Sequence, residues 1–552
     1  MPATVPDSAD PQAAPPAESV GPLERGLALL RTMALDPAPR QRPSDLARTT
    51  GFARSTVDRI TTTLVRLGYL RSDGRDLVLA PRAAEFGNAY LAGSRLPELL
   101  GPLAVELADR LDESVSIAVP DGAGARFVVQ ATRRRTMAVS FRIGDLLPAE
   151  RCAPGALFAA EWDSGQRTSW LRHHGDPAEA GFAVAPSRMA EPDEFLERAR
   201  LSRVQGWSVD DQLIETGLVA VAVPVRDPSG SAVCAVSVVS HTSRHDARSL
   251  ADHALPQLRH TAREMERRLA DPTAVTTTPS GVSSSRAFKD ELGSGFLQSL
   301  ARGLDVLLAL GAAPGHHTLA AVARATGLPR ATARRALITL QCLGYVGTEG
   351  EGFRLLPRVL ELGYTRLAGL SLPEIAEPHL IDLVRTVHES ASMAVLDGPD
   401  IRYIARVPTS RIMRLDITVG TRLPAFATSM GRVLLGGVPE AELLELLTAM
   451  RRDQLTDGTV TDPVALAATI RSAAREGHAM VDQELEEGLR SIAVPLHGGH
   501  GEVLAAVNIA LHAGRGTPAE TRAGLLPALR ETAAAIAADL SLARRWTGAP
   551  PA

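Results

Sequence analysis

The sequence predicts a mixed α+β protein that consists of two copies of one two-domain unit. Three observations support this: a long internal repeat, a helix-turn-helix pattern with a short hairpin in each copy, and strands alternating with helices in the remainder of each copy. At 552 residues the chain is long enough for several domains.

The internal repeat keeps its register over most of the chain. Residues 51–59 (GFARSTVDR) correspond to residues 327–335 (GLPRATARR), an offset of 276 residues. Further on, Asp211-Gln212 corresponds to Asp482-Gln483, an offset of 271 that one small deletion in the first copy explains. A register held over this length indicates a tandem duplication.

The helix-turn-helix pattern is clearest at residues 327–345. Gly327 ends one helix, and Pro329 suits the start of the next because its missing N–H costs little there. Apolar residues then recur at helical spacing, which leaves the basic residues outside the buried stripe and suits a helix in the DNA major groove. An amphipathic surface helix with a solvated basic face is the alternative. The candidate DNA-contacting residues of the two copies are Arg54, Ser55, Thr56, Arg59, Arg330, Thr332, Arg334 and Arg335.

Composition narrows the classes of function. The net charge is −4, so any contact with DNA must come from local basic patches. The three cysteines are far apart and odd in number, which favours a reducing cytoplasm over a disulfide framework. We expect no membrane-spanning segment and no signal peptide.

Four segments resemble the IclR-type family of transcriptional regulators: 296–304 (FLQSLARGL), 325–335 (ATGLPRATARR), 424–432 (PAFATSMGR) and 481–495 (VDQELEEGLRSIAVP). The second copy is especially similar to the protocatechuate and β-ketoadipate pathway branch. The resemblance implies a winged helix-turn-helix, a linking helix and a GAF-like α/β effector-binding domain in each copy. The family normally carries one such unit per chain, so the duplication is a departure.

The resemblance predicts six segments with the following bounds. They are a disordered N-terminus (1–22), a first winged helix-turn-helix (23–90), a first, degenerate effector-type domain (91–270), a linker (271–293), a second winged helix-turn-helix (294–366) and a second effector-binding domain (367–545).

The resemblance also implies a function. We expect a sequence-specific regulator that binds double-stranded promoter DNA, responds to a small aromatic or dicarboxylic acid and controls aromatic-acid catabolism. No cofactor, metal or catalytic residue is expected. A homo-oligomer is expected, in which the two heads of one chain pair with each other and two chains form a pseudo-tetramer.

The implied effector pocket lies between the loop at 424–431 and the strands after Asp482. Its candidate residues are Thr428, Ser429, Asp482, Glu484, Arg490, Ser491 and Asn508. An Arg fork suits a carboxylate, and hydroxyl or amide groups orient the rest of a small acid. Neighbours on a strand face opposite ways, so we expect only one of Arg490 and Ser491 in the pocket. A salt bridge with Glu486 or Glu487 is the alternative for Arg490.

The duplication allows the pocket to be compared within the chain. Apolar residues replace five of the polar candidates in the first copy, whereas Asp211 and Ser237 remain. The replacements are Cys152, Ala153, Leu213, Val219 and Ala220. We infer that the first domain has lost acid binding or binds something less polar.

Two rival classes of function stay open at this point. A GAF-like enzyme is one, and a protein-interaction module without DNA binding is the other. His497 and His500 could form a metal pair, although a polar hairpin turn is the preferred interpretation. Cys152 lies in the pocket loop without a His partner, so a buried thiol is favoured over a nucleophile.

Overall fold

The computed structural model describes residues 19–133, 141–173, 191–271, 295–409 and 417–546. Residues 1–18 of the predicted N-terminal segment, and the predicted linker beyond Asp271, lie outside these ranges. The described chain divides into two compact units. One runs to Gly369 and includes the C-terminal stretch from Arg544, and the other spans Leu370–Ala543.

The first winged helix-turn-helix, called the first head, has the predicted order of elements. They are α1 (Gly21–Leu35), α2 (Pro43–Thr50), α3 (Arg54–Arg66), β1 (Leu70–Asp73) and β2 (Asp76–Leu79). Gly51 has φ of 70°, a left-handed conformation that glycine adopts without steric cost, and it ends α2 as predicted. Helix α1 begins two residues before the predicted boundary at Leu23, with Pro22 in its first turn.

The first α/β domain follows a linking helix, α4 (Ala84–Ser94). Its elements are α5 (Leu96–Leu111), β3 (Ser114–Asp121), β4 (Gly124–Ala131), β5 (Leu146–Pro148), α6 (Ala153–Ala159), α7 (Ser164–His173), α8 (Pro192–Gln205), β6 (Ser208–Asp211), β7 (Leu218–Arg226), β8 (Ala232–His241) and α9 (Ala247–Ala270). The strands form one antiparallel six-stranded sheet in the order β5-β4-β3-β8-β7-β6.

The second head repeats the first. Its elements are α10 (Gln298–Ala309), α11 (Leu319–Thr326), α12 (Arg330–Cys342), β9 (Val346–Glu349) and β10 (Gly352–Leu355). The predicted linking helix at 357–367 is broken, with a 3₁₀ segment at Pro357–Leu362 and a short α13 at Tyr364–Ala368. The break lies at Gly363, whose φ of 124° no helix accommodates. Gly87, at the corresponding position of α4, stays helical.

The second α/β domain forms the other unit. Its elements are α14 (Leu372–Val387), β11 (Ser390–Asp397), β12 (Asp400–Val407), β13 (Arg422–Pro424), α15 (Ser429–Leu435), α16 (Glu440–Ala449), α17 (Pro463–Glu476), β14 (Ala479–Asp482), β15 (Leu489–His497), β16 (Val503–His512) and α18 (Pro518–Arg544). Its six-stranded sheet has the order β13-β12-β11-β16-β15-β14, the same arrangement as in the first domain.

Helices cover both faces of this second sheet. Ile492 and Val494 of β15 pack with α14 and α18. Ala493, which lies between them and faces the other way, packs with α15. The α15 side carries Ser429 and Ser491, two of the candidate effector residues. In the part of the chain that the structure describes, no helix combines the length and hydrophobicity that crossing a bilayer requires.

Candidate DNA-binding surface and effector site

The two heads pack against each other through their first helices, α1 and α10. A Cβ on Gly26 would lie 2.4 Å from Leu300 Cδ1, and a Cβ on Gly303 would lie 2.4 Å from Leu23 Cδ2. Each helix therefore inserts a leucine where the other carries a glycine. Because Leu23 corresponds to Leu300 and Gly26 to Gly303 in the repeat, the contact has pseudo-two-fold symmetry.

Hydrogen bonds between the heads follow the same symmetry. The Val20 N–H donates to Thr339 Oγ1 at 2.9 Å, and the Leu297 N–H donates to Thr63 Oγ1 at 3.1 Å. Both threonines are fully buried and lie on the recognition helices, α12 and α3. The start of each first helix is thus fixed to the recognition helix of the other copy, which is the intramolecular pairing that the sequence predicts.

The candidate DNA-contacting residues lie on the outer sides of α3 and α12. Arg54, Ser55 and Arg59 are exposed on α3, and Thr56 is half-buried. On α12 the exposed residues are Arg330, Arg334 and Arg335, and Thr332 is half-buried. Neither helix has a side-chain N-cap, although the N–H groups of Thr56 and Thr332 donate to the carbonyls of Ala53 and Pro329. The N–H groups of the first two residues of each helix are therefore the ones that could meet a phosphate.

A basic cleft of about 570 Å³ lies between the heads beside α3. Its lining includes Arg25 of α1, Arg59 of α3 and Arg302 of α10. Arg302 donates to Gln298 Oε1 at 3.2 Å. Three guanidinium groups around one opening favour a polyanion at this surface.

Ser429 and Ser491 are brought together on the α15 side of the second sheet. Their hydroxyl oxygens are 2.8 Å apart. Ser429 is fully buried at the start of α15, and Ser491 is half-buried on β15. These two residues, predicted from distant parts of the sequence, therefore form one polar pair.

Thr428 has a structural contact of its own. Its hydroxyl accepts a hydrogen bond from the Gly431 N–H at 3.0 Å and so caps α15. A Cβ at Gly431 would lie 2.0 Å from the Ala425 carbonyl oxygen, so only glycine allows this close packing of loop and helix. Gly155 makes the same close approach to Ala149 in the first domain.

Asp482 and Arg490 do not join the serine pair, in contrast to the sequence prediction. The Arg490 guanidinium donates to both Asp482 oxygens, at 2.9 and 3.0 Å, and to Thr521 Oγ1 of α18 at 3.2 Å. Arg490 is 4% exposed and points to the α14/α18 side, because Ser491 beside it faces α15. The partner is Asp482, and neither Glu486 nor Glu487 forms the expected salt bridge within the described residues.

Glu484 also has a structural partner. The Arg432 Nη1 donates to Glu484 Oε1 at 2.8 Å, and Arg432 Nε donates to the Phe426 carbonyl at 3.1 Å. Arg432 is 2% exposed, so this is a buried ion pair. It fastens the segment after β14 to α15 and to the pocket loop.

Asn508 is the centre of a polar row that sequence reasoning found only in part. Its Cα partners across the sheet are Ser392 of β11 and Ala493 of β15, and Ser392 is paired with Arg406 of β12. Paired residues of antiparallel strands share a face, and Ala493 packs on the α15 side. Arg406, Ser392 and Asn508 therefore lie side by side on the face that also carries Ser491.

Buried polar atoms of this row point to a binding site. Asn508 is 4% exposed, and its Oδ1 has no hydrogen-bond partner among the described residues. Arg406 is half-buried, and burial lowers the pKa of its guanidinium. Tyr403, which interacts electrostatically with Arg406, is also buried, and burial raises the pKa of its hydroxyl to about 12. We call Ser392, Arg406, Ser429, Ser491 and Asn508 the polar face.

The period-two alternation of β11 and β12 is the sequence signal that could have revealed Arg406 and Ser392. Both residues lie at positions that correspond to Gln130 and Ser116 of the first copy. Both residues lie outside the four segments that resemble the family, so no motif marked them.

The same face of the first α/β domain is more apolar, although the buried Gln130 Nε2 has no hydrogen-bond partner among the described residues. Ser116 donates to Gln130 Oε1 at 2.8 Å. The rings of Phe127 and Phe141 stack with 4.5 Å between their centroids. Phe127 belongs to an apolar cluster in which Ala153 and Ala220, at the positions of Ser429 and Ser491, also pack.

The chain also matches known sequence families. Residues 22–74 and 299–350 match the IclR helix-turn-helix domain. Residues 88–267 and 365–538 match the family described as bacterial transcriptional regulator IclR C-terminal. The chain belongs to the IclR family. Each family domain occurs twice, which confirms the predicted tandem duplication and the predicted α+β class of this IclR-family regulator.

Several characterised proteins are similar to this IclR-family chain. The Pca regulon regulatory protein of Pseudomonas putida is 45% identical over 235 residues, 42% of this chain and 81% of that protein. The p-hydroxybenzoate hydroxylase transcriptional activator of Acinetobacter baylyi is 32% identical over 243 residues, 43% of this chain and 90% of that protein. The crystal structure of a regulator from Rhodococcus sp. RHA1 has 52% identity and a TM-score of 0.44, covering 45% of this chain and all of that one (100%).

The chain is a DNA-binding transcriptional regulator and not an enzyme, as its family shows. The candidate nucleophile Cys152 is buried, and burial raises the pKa of its thiol to about 12. His497 ends β15, and its Nδ1 lies 3.1 Å from the Gly501 carbonyl oxygen within a hairpin turn. No group of three or more His, Cys, Asp and Glu side chains in the described ranges is arranged to hold a metal ion.

Proposed function

We propose that this IclR-family regulator controls genes of aromatic-acid breakdown and that a small hydroxylated aromatic acid binds the polar face of its second α/β domain. Two similar proteins support the metabolic setting: a Pca regulon regulatory protein and a p-hydroxybenzoate hydroxylase transcriptional activator. The matches cover 81% and 90% of these proteins, so the similarity is not confined to a single domain.

The observation that carries the proposal is the row of Arg406, Ser392 and Asn508 across three neighbouring strands. A guanidinium donates two parallel hydrogen bonds to a carboxylate. A buried acceptor such as Asn508 Oδ1 requires a donor, because an unsatisfied buried oxygen costs about 1–3 kcal/mol. A phenolic hydroxyl supplies that donor, so an acid with a hydroxyl at its far end meets both requirements.

A hydroxylated monocarboxylate fits this surface better than a dicarboxylate. Of the buried arginines in this domain, Arg432 is paired with Glu484 and Arg490 with Asp482. A second carboxylate at either of these two arginines would compete with an existing buried ion pair. The proposed roles are Arg406 for the carboxylate, Asn508 and Ser392 for the hydroxyl, and Ser429 with Ser491 for orientation of the ring.

We propose that the acid acts by population shift. A ligand changes an equilibrium only by the difference in its affinity for the two states. The chain connects the second α/β domain to the paired heads through Gly369 and Leu370. Binding at the polar face would favour one arrangement of the heads and so change operator affinity. By linkage, operator DNA would change acid affinity by the same factor.

Isothermal titration calorimetry of the full chain tests the proposed ligand class. We expect binding of 4-hydroxybenzoate or protocatechuate and much weaker binding of adipate. Arg406→Gln should weaken binding about 10- to 150-fold, the equivalent of losing a hydrogen bond to a charged group worth about 1.5–3 kcal/mol. Arg422→Gln is the matched control, because Arg422 is exposed and pairs with Asp397 and Asp400 at the sheet edge.

Two results would contradict the proposal. Equal loss of affinity in both variants would mean that Arg406 acts only through folding or net charge. Tight binding of adipate together with no binding of either aromatic acid would show that the site binds dicarboxylates instead.

We also propose that two chains associate, so that four α/β domains and four heads form the complete regulator. Analytical ultracentrifugation should then give twice the chain mass of 58.4 kDa, and a monomer at all concentrations would contradict it. A cytoplasmic location is proposed as well, supported by the DNA target and by three cysteines that form no disulfide.

A further inference from the structure

The two recognition helices are not identical on their exposed sides. The arginines at 54 and 59 and the threonine at 56 recur in the second copy as Arg330, Arg335 and Thr332. Among the exposed residues of the first six helix positions, the copies differ twice, because Ser55 corresponds to Ala331 and Asp58 to Arg334. Asp58 and Arg334 are both exposed. One head therefore presents a carboxylate where the other presents a guanidinium.

These positions lie in the part of the helix that reads bases. The N-terminal residues of a recognition helix face the base edges in the major groove. Asp58 is the fifth residue of α3, which starts at Arg54, and Arg334 is the fifth residue of α12, which starts at Arg330. The buried side of α3 is formed by Val57, Ile60 and Leu64, so Asp58 lies outside the packed core. Its carboxylate makes no hydrogen bond or ion pair within the described residues.

Because the two heads of one chain pack against each other, every pair of recognition helices contains one α3 and one α12. Symmetry-related hydrogen bonds from Val20 and Leu297 hold both recognition helices in one pseudo-dimer. A homodimer presents two identical helices and therefore reads a palindrome. In this chain the two helices come from one polypeptide, so each pair is of necessity asymmetric.

We propose that the operator consists of two unlike half-sites and that the Asp58/Arg334 position sets the difference. A carboxylate accepts a hydrogen bond from cytosine N4, whereas an Arg fork donates to guanine O6 and N7. The half-site under α3 then carries cytosine where the half-site under α12 carries guanine. The inference rests on the DNA-binding function and adds its base specificity. The regulator has a fixed direction on its operator, which a palindrome cannot impose.

Selection of bound sequences from a pool of random duplexes by the full chain tests this inference. We expect an enriched motif with two half-sites about 10 bp apart, centre to centre, that differ at one shared position. Replacing the cytosine half-site by a second guanine half-site should weaken wild-type binding about 5- to 150-fold, as expected for one base contact.

A variant with matched helices sharpens the test. Ser55→Ala/Asp58→Arg gives the first six positions of α3 the exposed residues of α12 and should select a palindrome of two guanine half-sites. Asp252→Arg is the control, since Asp252 is exposed on α9 and the change in charge is the same. It should keep the asymmetric motif.

The possible outcomes separate the inference from the function on which it rests. Enrichment of identical half-sites by the wild-type chain would overturn the inference and leave DNA binding intact. An unchanged asymmetric motif for the Ser55→Ala/Asp58→Arg variant would also overturn it, because the difference would then come from elsewhere. Absence of any enriched sequence would contradict sequence-specific DNA binding itself.

Discussion

The two α/β domains have the same number and order of strands, and in each a glycine (Gly155 or Gly431) allows a helix to pack closely on the preceding loop. The same face nevertheless carries different side chains in each domain. In the second domain this face presents Arg406, Asn508 and the Ser429/Ser491 pair. In the first domain Gln130 takes the position of Arg406 and is held by Ser116, and stacked phenylalanine rings occupy the apolar cluster. One fold thus carries a polar face in one copy and a more apolar face in the other.

The comparison shows that two polar pairs of the second domain are each replaced as a set. The ion pair Arg432–Glu484 corresponds to Ala156 and Leu213, and the pair Ser429–Ser491 corresponds to Ala153 and Ala220. Removing one partner leaves a buried charge or hydroxyl unsatisfied, whereas replacing both by apolar groups is nearly neutral. The backbone plan is insensitive to the exchange, because it depends on the sheet register and on the close approach at Gly155 and Gly431.

The largest effect is expected for breaking the buried ion pair. Glu484→Leu leaves Arg432 without its carboxylate and should lower the free energy of opening around α15 by about 3–5 kcal/mol. Native-state hydrogen exchange of α15 measures this locally, which a chain of several domains requires. Arg432→Met/Glu484→Leu should recover most of the loss. If the double variant is as unstable as the single one, the paired-exchange explanation fails.

A pH dependence should distinguish the first domain from the second. Burial raises the pKa of Asp210 to about 7, although nearby Arg198 opposes the shift, and Val481 takes this position in the second domain. The folded state then holds a proton that the unfolded state releases above its pKa of 3.8, so stability falls as pH rises from about 4 through 7. Asp210→Asn should remove this dependence, an effect on the order of 2–4 kcal/mol.

Hydrogen exchange of β7 at pH 5 and pH 8 measures the Asp210 effect. Asp211→Asn is the control: Asp211 is exposed, and its charge raises the pKa of Asp210 less than burial does, so the pH profile should shift only slightly toward lower pH. The same profile in wild type and Asp210→Asn would show that Asp210 is ionised in the folded protein.

Arg490→Val introduces the residue of the first domain, Val219. Loss of hydrogen bonds to Asp482 and Thr521 should destabilise the contact between β15 and α18 by about 1.5–3 kcal/mol. Acid affinity should stay within about twofold, because Arg490 faces away from the polar face. Calorimetry with 4-hydroxybenzoate measures this acid affinity. A large loss of affinity, with hydrogen-exchange protection of β15 unchanged, would show that Arg490 belongs to the acid-binding site.

The smallest effect is expected for the serine pair. Ser429→Ala/Ser491→Ala reproduces Ala153 and Ala220 and should be nearly neutral for stability, since both partners of one hydrogen bond are removed. Acid affinity should fall about 2- to 12-fold, as for one neutral hydrogen bond of about 0.5–1.5 kcal/mol. A loss comparable to that of Arg406→Gln would make the serines, and not Arg406, the main anchor.

Local patterns were sufficient for much of the fold. The glycine turns and the apolar spacing of the recognition helices predicted the two heads close to their observed bounds. The broken linking helix was not predictable in this way. Gly363 and Gly87 hold equivalent positions, but the ring of Tyr364 packs against Gly87 and only one of the two glycines remains helical.

The candidate site was predictable only where a motif marked it. Ser429 and Ser491 came from the resembling segments, and the opposed directions of Arg490 and Ser491 followed from strand geometry. Arg406 was not predicted, because it lies outside the segments that resemble the family. Its place beside Ser392 and Asn508 depends on the pairing of three strands that are far apart in the chain.

The sequence by itself determined the duplication, the family and the two heads, because repeats, glycine turns and helical periodicity are local and survive without any knowledge of contacts. Only the tertiary structure decided which polar residues meet. It pairs Arg490 with Asp482, Arg432 with Glu484, and Thr63 and Thr339 with the opposite heads. Such partners are chosen by strand register and helix packing, which bring together residues that no local pattern connects.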